Sequence, residues 1–100
     1  MRITEAAEMY IALNVYQPDT ADTLKRVAKL FEMRSGCSSI ESLDLTAIVN
    51  FRNETLKVAK PVTYNGYLRY LKLLSKWLLE EGYIERDWFT KVKAAPLPIA

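Results

Sequence analysis

The sequence has no histidine, one cysteine and, in 100 residues, only 3 glycines and 4 prolines. Without histidine there is no imidazole acid or base, no His-liganded zinc and no Ser/His or Cys/His nucleophile pair. One thiol, Cys37, excludes an intrachain disulfide and a cysteine metal cage. No basic residue adjoins Cys37 in sequence, so it reads as an inert surface thiol. The scarcity of glycine and proline excludes collagen-like and low-complexity structure. No apolar run reaches the roughly 18–20 residues of a membrane-crossing helix, and the first residues lack the apolar core of a secretory signal. The expectation is a cytoplasmic protein with no membrane partner, no metal, no cofactor and no catalytic activity of its own.

What is present is ordinary globular material. Half of the residues are hydrophobic and 26% are charged, a balance that supports one domain with one modest core. The apolar residues recur at helical spacing throughout. A first helix is predicted from Thr4, with Glu5 and Glu8 at its positive end and Ala6, Met9, Tyr10, Leu13 and Tyr16 along one side. Asn14 to Asp19, with Pro18, reads as a break. A second helix is predicted from Thr20 as N-cap, with Leu24, Val27, Ala28 and Phe31 inward and Ser35-Gly36 as its stop. Ile40 reads as the anchor of the connection that follows. A third, shorter helix is predicted with Thr46 as N-cap, fading near Val58.

The fourth and longest helix is predicted over about Val62 to Glu81. Pro61 belongs at its start, where a missing N–H is harmless, and Gly82 just past its end, where a left-handed backbone is needed. Its apolar side is Tyr64, Tyr67, Leu68, Leu71, Leu74 and Leu78. Asn65, Arg69, Lys72 and Lys76 follow one another at i, i+4, i+7 and i+11, a straight polar stripe. Tyr10, Phe31, Tyr67, Tyr70 and Trp77 follow the apolar spacing and read as core. The tail holds a short turn around Trp88-Phe89 and ends in Ala95-Pro96-Leu97-Pro98, which reads as an extended linker. The fold class expected is an all-α bundle of four main helices.

The net charge of +2 conceals a segregation. Residues 25–34, in the second helix, carry Lys25, Arg26, Lys29 and Arg34 against the single acid Glu32, a net of +3. Residues 57–79 carry Lys57, Lys60, Arg69, Lys72 and Lys76 and no acid, a net of +5. Lysines on a helix are ordinarily just solvated surface. The fourth helix nevertheless lacks the glutamates that a solubilising face carries at i, i+4. Its first turns also offer Thr63, Tyr64 and Asn65, side chains suited to phosphates or base edges. Two basic faces lying together would make a surface for a polyanion. Gly66, inside this helix, costs about 1 kcal/mol relative to alanine, and close packing of a neighbouring helix is the expected reason.

From Thr20 onward the order of these features resembles the core-binding domain of tyrosine recombinases, the phage integrase family. The resemblance rests on Thr20 through Lys25-Arg26, Phe31 and Gly36, then Leu43-Asp44-Leu45-Thr46 to Phe51. It continues with Thr63-Tyr64-Asn65 opening a long helix that holds Leu68, Leu71 and Trp77, and then Glu81 to Ile84. Where the family places Asn-Pro after this turn, the chain has Asp87-Trp88-Phe89. The resemblance implies a SAM-like helical domain over residues 1–95, with 96–100 beginning a linker toward a catalytic domain. It implies a bacterial or phage origin and a clamp on one face of double-stranded DNA for integration or recombination. It also implies partnership with the catalytic domain of the same protein and with other recombinase protomers on DNA, the isolated domain being monomeric. None of the six tyrosines takes the nucleophile's role. The implied DNA-contacting residues are Lys25, Arg26, Lys29, Lys57, Lys60, Thr63, Tyr64, Asn65, Arg69, Lys72 and Lys76. Two other readings stay open: a helical protein–protein adaptor, and a small helix-turn-helix regulator, against which the long connection from Ser35 to Asp44 argues.

Overall fold

Four helices and one 3-10 turn account for the regular structure in the computed structural model, which describes residues 1–97. They are α1 (Ile3–Asn14), α2 (Pro18–Ser35), the 3-10 turn Ile40–Ser42, α3 (Leu45–Val58) and α4 (Pro61–Glu80). The protein is an all-α bundle; among the described residues the only extended pairing is an isolated bridge between Arg2 and Ser39.

Local chemistry sets each boundary. Helix α2 begins two residues before the expected Thr20, because Pro18 occupies its first turn, where a residue without an N–H fits, and Gln17 is the N-cap. The proline expected to break the chain starts the helix. Gly36 ends α2 at φ 74°, a left-handed stop. Helix α3 is capped by Asp44 and not by Thr46: the Asp44 carboxylate accepts from the Ala47 N–H at 2.9 Å. Helix α4 starts at Pro61, and Gly82 follows its end at φ 79°, as the sequence predicts.

The inward faces meet in one core. Ala6 and Ala7 of α1, Val27, Ala28 and Phe31 of α2, Ile48 and Phe51 of α3, and Leu68, Leu71, Leu74 and Leu78 of α4 are all buried. Phe31 stacks at 5.2 Å on Phe51 and at 5.9 Å on Phe89 of the tail, and Phe51 continues to Tyr64 at 6.1 Å. Tyr10 meets Trp77 edge-on at 5.5 Å and so fastens α1 to α4. Ile40 is buried and anchors the connection as expected.

Cys37 is buried at 8% exposure, not a surface thiol. Its Sγ donates to the Ser39 carbonyl, and burial pushes the thiol above its ordinary range. Gly66 also departs from expectation. A Cβ built there meets nothing within 4 Å, so no neighbouring helix explains this glycine.

The tail does not leave the domain at the end of α4. It turns at Gly82 and comes back along the helix, pinned at two points. Ser75 of α4 donates to the Asp87 carboxylate at 2.6 Å, and Asn65 holds the backbone of Ala95. The expected turn at Trp88-Phe89 lies between them, with Asp87 accepting from the Phe89 N–H at 2.9 Å. Residues 98–100, at the end of the expected linker, lie outside the described residues.

Candidate nucleic-acid interface

Helix α4 carries the charge that has least structural use. Its inward face is Tyr64, Leu68, Leu71, Leu74 and Leu78. At 100° per residue, Arg69 and Lys76 fall well round from that face and are exposed, while Lys72 lies nearer to it and is half-buried. The ion pairs among the described residues are Met1–Glu41, Arg2–Glu32 and Lys57–Glu54. Lys60, Arg69, Lys72 and Lys76 are in none of them. The first turn of α4 has no acidic residue and no side-chain cap, which leaves its positive end open beside Lys60 and exposed Thr63.

The folded-back tail enlarges this surface. Lys91 and Lys93 are exposed and lie in the segment held between Asp87 and Ala95, on the flank of α4 that bears Asn65. Sequence reasoning missed both, since a tail without periodicity gives no sign that it will return to the helix. The acids Glu80, Glu81 and Glu85 gather at the far end of α4, so the positive character belongs to the helix's N-terminal part and middle.

Two residues predicted for the interface are engaged in the fold itself. Tyr64 is 0% exposed, locked among core aromatics, and burial raises its phenol above the ordinary range with a small opposing pull from Arg52. Its hydroxyl has no hydrogen-bond partner among the described residues. Asn65 is half-buried, and both ends of its amide are engaged by Ala95: Oδ1 accepts from the Ala95 N–H at 2.7 Å and Nδ2 donates to its carbonyl at 3.0 Å. It is a clasp for the tail, with one donor and one acceptor of its amide committed to Ala95.

The remaining cations divide between two other places. Lys25, Arg26 and Lys29 are exposed on α2. That helix turns Glu32 toward α1, Arg34 toward Thr55 of α3 and Phe31 into the core, so its basic residues take the remaining outward side. The inward faces of α2 and α4 meet in the same core, so their basic residues lie on the outward sides of two different helices. Lys57 donates to Glu54 at 2.8 Å at the edge of an open groove that also holds Arg34, Asn50 and Asn53. There the carboxylate offsets the cation.

No protein-family model, no curated protein and no solved structure matches the chain. No helix among the described residues is long and apolar enough to cross a membrane.

Proposed function

We propose that the domain binds double-stranded DNA through α4 and its returning tail, as the core-binding half of a site-specific tyrosine recombinase whose chemistry resides in a separate catalytic domain. The observation that carries the DNA reading is the stretch of α4 before Glu80, which holds no acid: Lys60, Arg69, Lys72 and Lys76 are in no ion pair among the described residues, and Lys91 and Lys93 extend them. Cations held on a rigid helix and left unneutralised favour a polyanion, and most of them would touch phosphates, which set affinity and register without reading sequence. The recombinase assignment rests on the resemblance of the ordered motifs, whose implied DNA-contacting helices are the second and the fourth.

The test is fluorescence anisotropy on a generic duplex at low salt. Arg69 and Lys76 are exposed and in no ion pair among the described residues, so Arg69→Glu with Lys76→Glu shifts folding stability by under about 1 kcal/mol. Binding falls well over tenfold, about 1.4 kcal/mol per decade. Glu80→Gln with Glu81→Gln, at the acidic end of the same helix, is the control and does not weaken binding. A charge-reversed protein that melts normally and binds DNA like the parent refutes the proposal.

A further inference from the structure

Gly66 is an expense with no return inside the domain. Two of the three glycines have a backbone reason, Gly36 and Gly82 being the two with positive φ. Gly66 lies in the second turn of a regular helix without that conformation, where alanine is the better residue. A glycine can also be kept in a helix so that something passes close over the backbone. Nothing among the described residues does so, because a Cβ at Gly66 meets none of their atoms within 4 Å.

The neighbours of Gly66 indicate what would pass. On the helix surface, residues three and four positions away adjoin it. Thr63 at i−3 and Arg69 at i+3 are both exposed and supply a hydroxyl and a guanidinium, two groups that bind phosphate. Val62 at i−4 and Leu73 at i+7 continue the same outward ridge, 60% and 43% exposed. Lys76 continues the outward side beyond Leu73, and no acid occurs between residues 57 and 79. The face is a low saddle with cations along it, and its charge complements a phosphate chain.

We propose that Gly66 is the point where a strand of duplex DNA lies closest to the protein, its sugar–phosphate backbone filling the volume that the missing side chain leaves, with Thr63 and Arg69 gripping phosphates on either side. This rests on the DNA-binding reading above and adds the position and orientation of the strand. It gives stability and binding opposite responses at one residue. Adding a side chain relieves the glycine penalty and blocks the approach.

The experiment compares Gly66→Ala and Gly66→Leu with the parent and with the Arg69→Glu/Lys76→Glu protein, by thermal melts and by duplex anisotropy. Both substitutions place good helix formers in open space, so both proteins fold. Their melting midpoints rise by up to about 4–8 °C. Duplex affinity falls despite the added stability, more for leucine than for alanine and by about tenfold or more for leucine, about 1.4 kcal/mol. If both Gly66 variants bind DNA like the parent while the charge reversal does not, the DNA reading survives and the Gly66 assignment is overturned. If the parent itself does not bind duplex, both fall together. If DNA affinity is unchanged and sedimentation shows that Gly66→Leu disrupts self-association, the saddle seats another helix and the proposal is wrong.

Discussion

Asn65 and Ala95, thirty positions apart, are joined by a two-bond clasp between one side-chain amide and one residue's main chain. The Ala95 N–H must meet an oxygen and its carbonyl an N–H, so the amide has one orientation. Through this clasp and the Ser75–Asp87 bond, the tail becomes part of the α4 surface and Phe89 is held in the core.

Asn65→Ala therefore loosens the tail. Each lost hydrogen bond contributes about 0.5–1.5 kcal/mol, so urea melts should show a loss of about 1–3 kcal/mol. Trypsin cleavage after Lys91 and Lys93 should accelerate. Asn65→Asp should be at least as damaging, since it sets a carboxylate against the Ala95 carbonyl. A tail that stays protected in both variants would mean that Phe89 and the Ser75–Asp87 bond suffice to hold it.

A second prediction concerns Glu32. Its side chain is 7% exposed, and it accepts from Arg2 Nη2 at 2.6 Å and from the Thr4 N–H at 2.8 Å. Burial pushes this carboxyl up, but the bonds from Arg2 and Thr4 outweigh burial and hold it below the ordinary carboxylate range. A depressed folded-state value contributes stability that is present above the unfolded value of about 4.3 and is lost as pH falls through the folded one. Glu32→Gln should accordingly be less stable than the parent at neutral pH, with the gap closing as pH drops below about 4. A gap that is constant from neutral to acid pH would show that the charge on Glu32 is irrelevant to folding.

The sequence made the helices legible because their signals are local. Pro61 and Gly82 bracket α4 by backbone geometry, and the buried leucines follow a period that needs no tertiary knowledge. The caps were harder. Asp44 and Thr46 are both competent N-caps two residues apart, and Asp44 takes the position because its carboxylate reaches the Ala47 N–H. Pro18 could stop one helix or start the next. The candidate site was legible in its charge and obscure in its membership. Arg69, Lys72 and Lys76 announce themselves by spacing, but Asn65, on the same stripe, is diverted by a tail whose return no periodicity encodes. Tyr64 is polar and near a helix start, and only the packed structure shows it against Phe51.

Tyr64 supports a third prediction. Its hydroxyl is buried without a partner, and an orphaned buried polar group costs about 1–3 kcal/mol. Tyr64→Phe should therefore be neutral or stabilising in a thermal melt, whereas Tyr64→Ala should cost about 3–5 kcal/mol through the cavity it opens. Tyr64→Phe should also leave duplex affinity unchanged. A large loss of binding in that variant would return Tyr64 to the interface and require α4 to open there.

The last prediction asks whether the basic residues act as one surface or two. If three to five phosphates are neutralised, the log–log slope of duplex affinity against salt is about −3 to −4.5. Neutralising Arg69 and Lys76 together, as Arg69→Gln with Lys76→Gln, removes two of those contacts and should flatten the slope by about 2. Lys91→Gln with Lys93→Gln should flatten it too, because the tail carries these lysines along the same flank of α4. Lys25→Gln with Lys29→Gln should leave it nearly unchanged, because α2 turns its basic side away from the core it shares with α4. All three variants lose the same formal charge, so a general effect of net charge would move the three slopes equally. Equal shifts would mean that diffuse attraction and not a defined face binds DNA. A slope near zero in the parent would remove phosphate contacts altogether and favour the helical protein–protein adaptor.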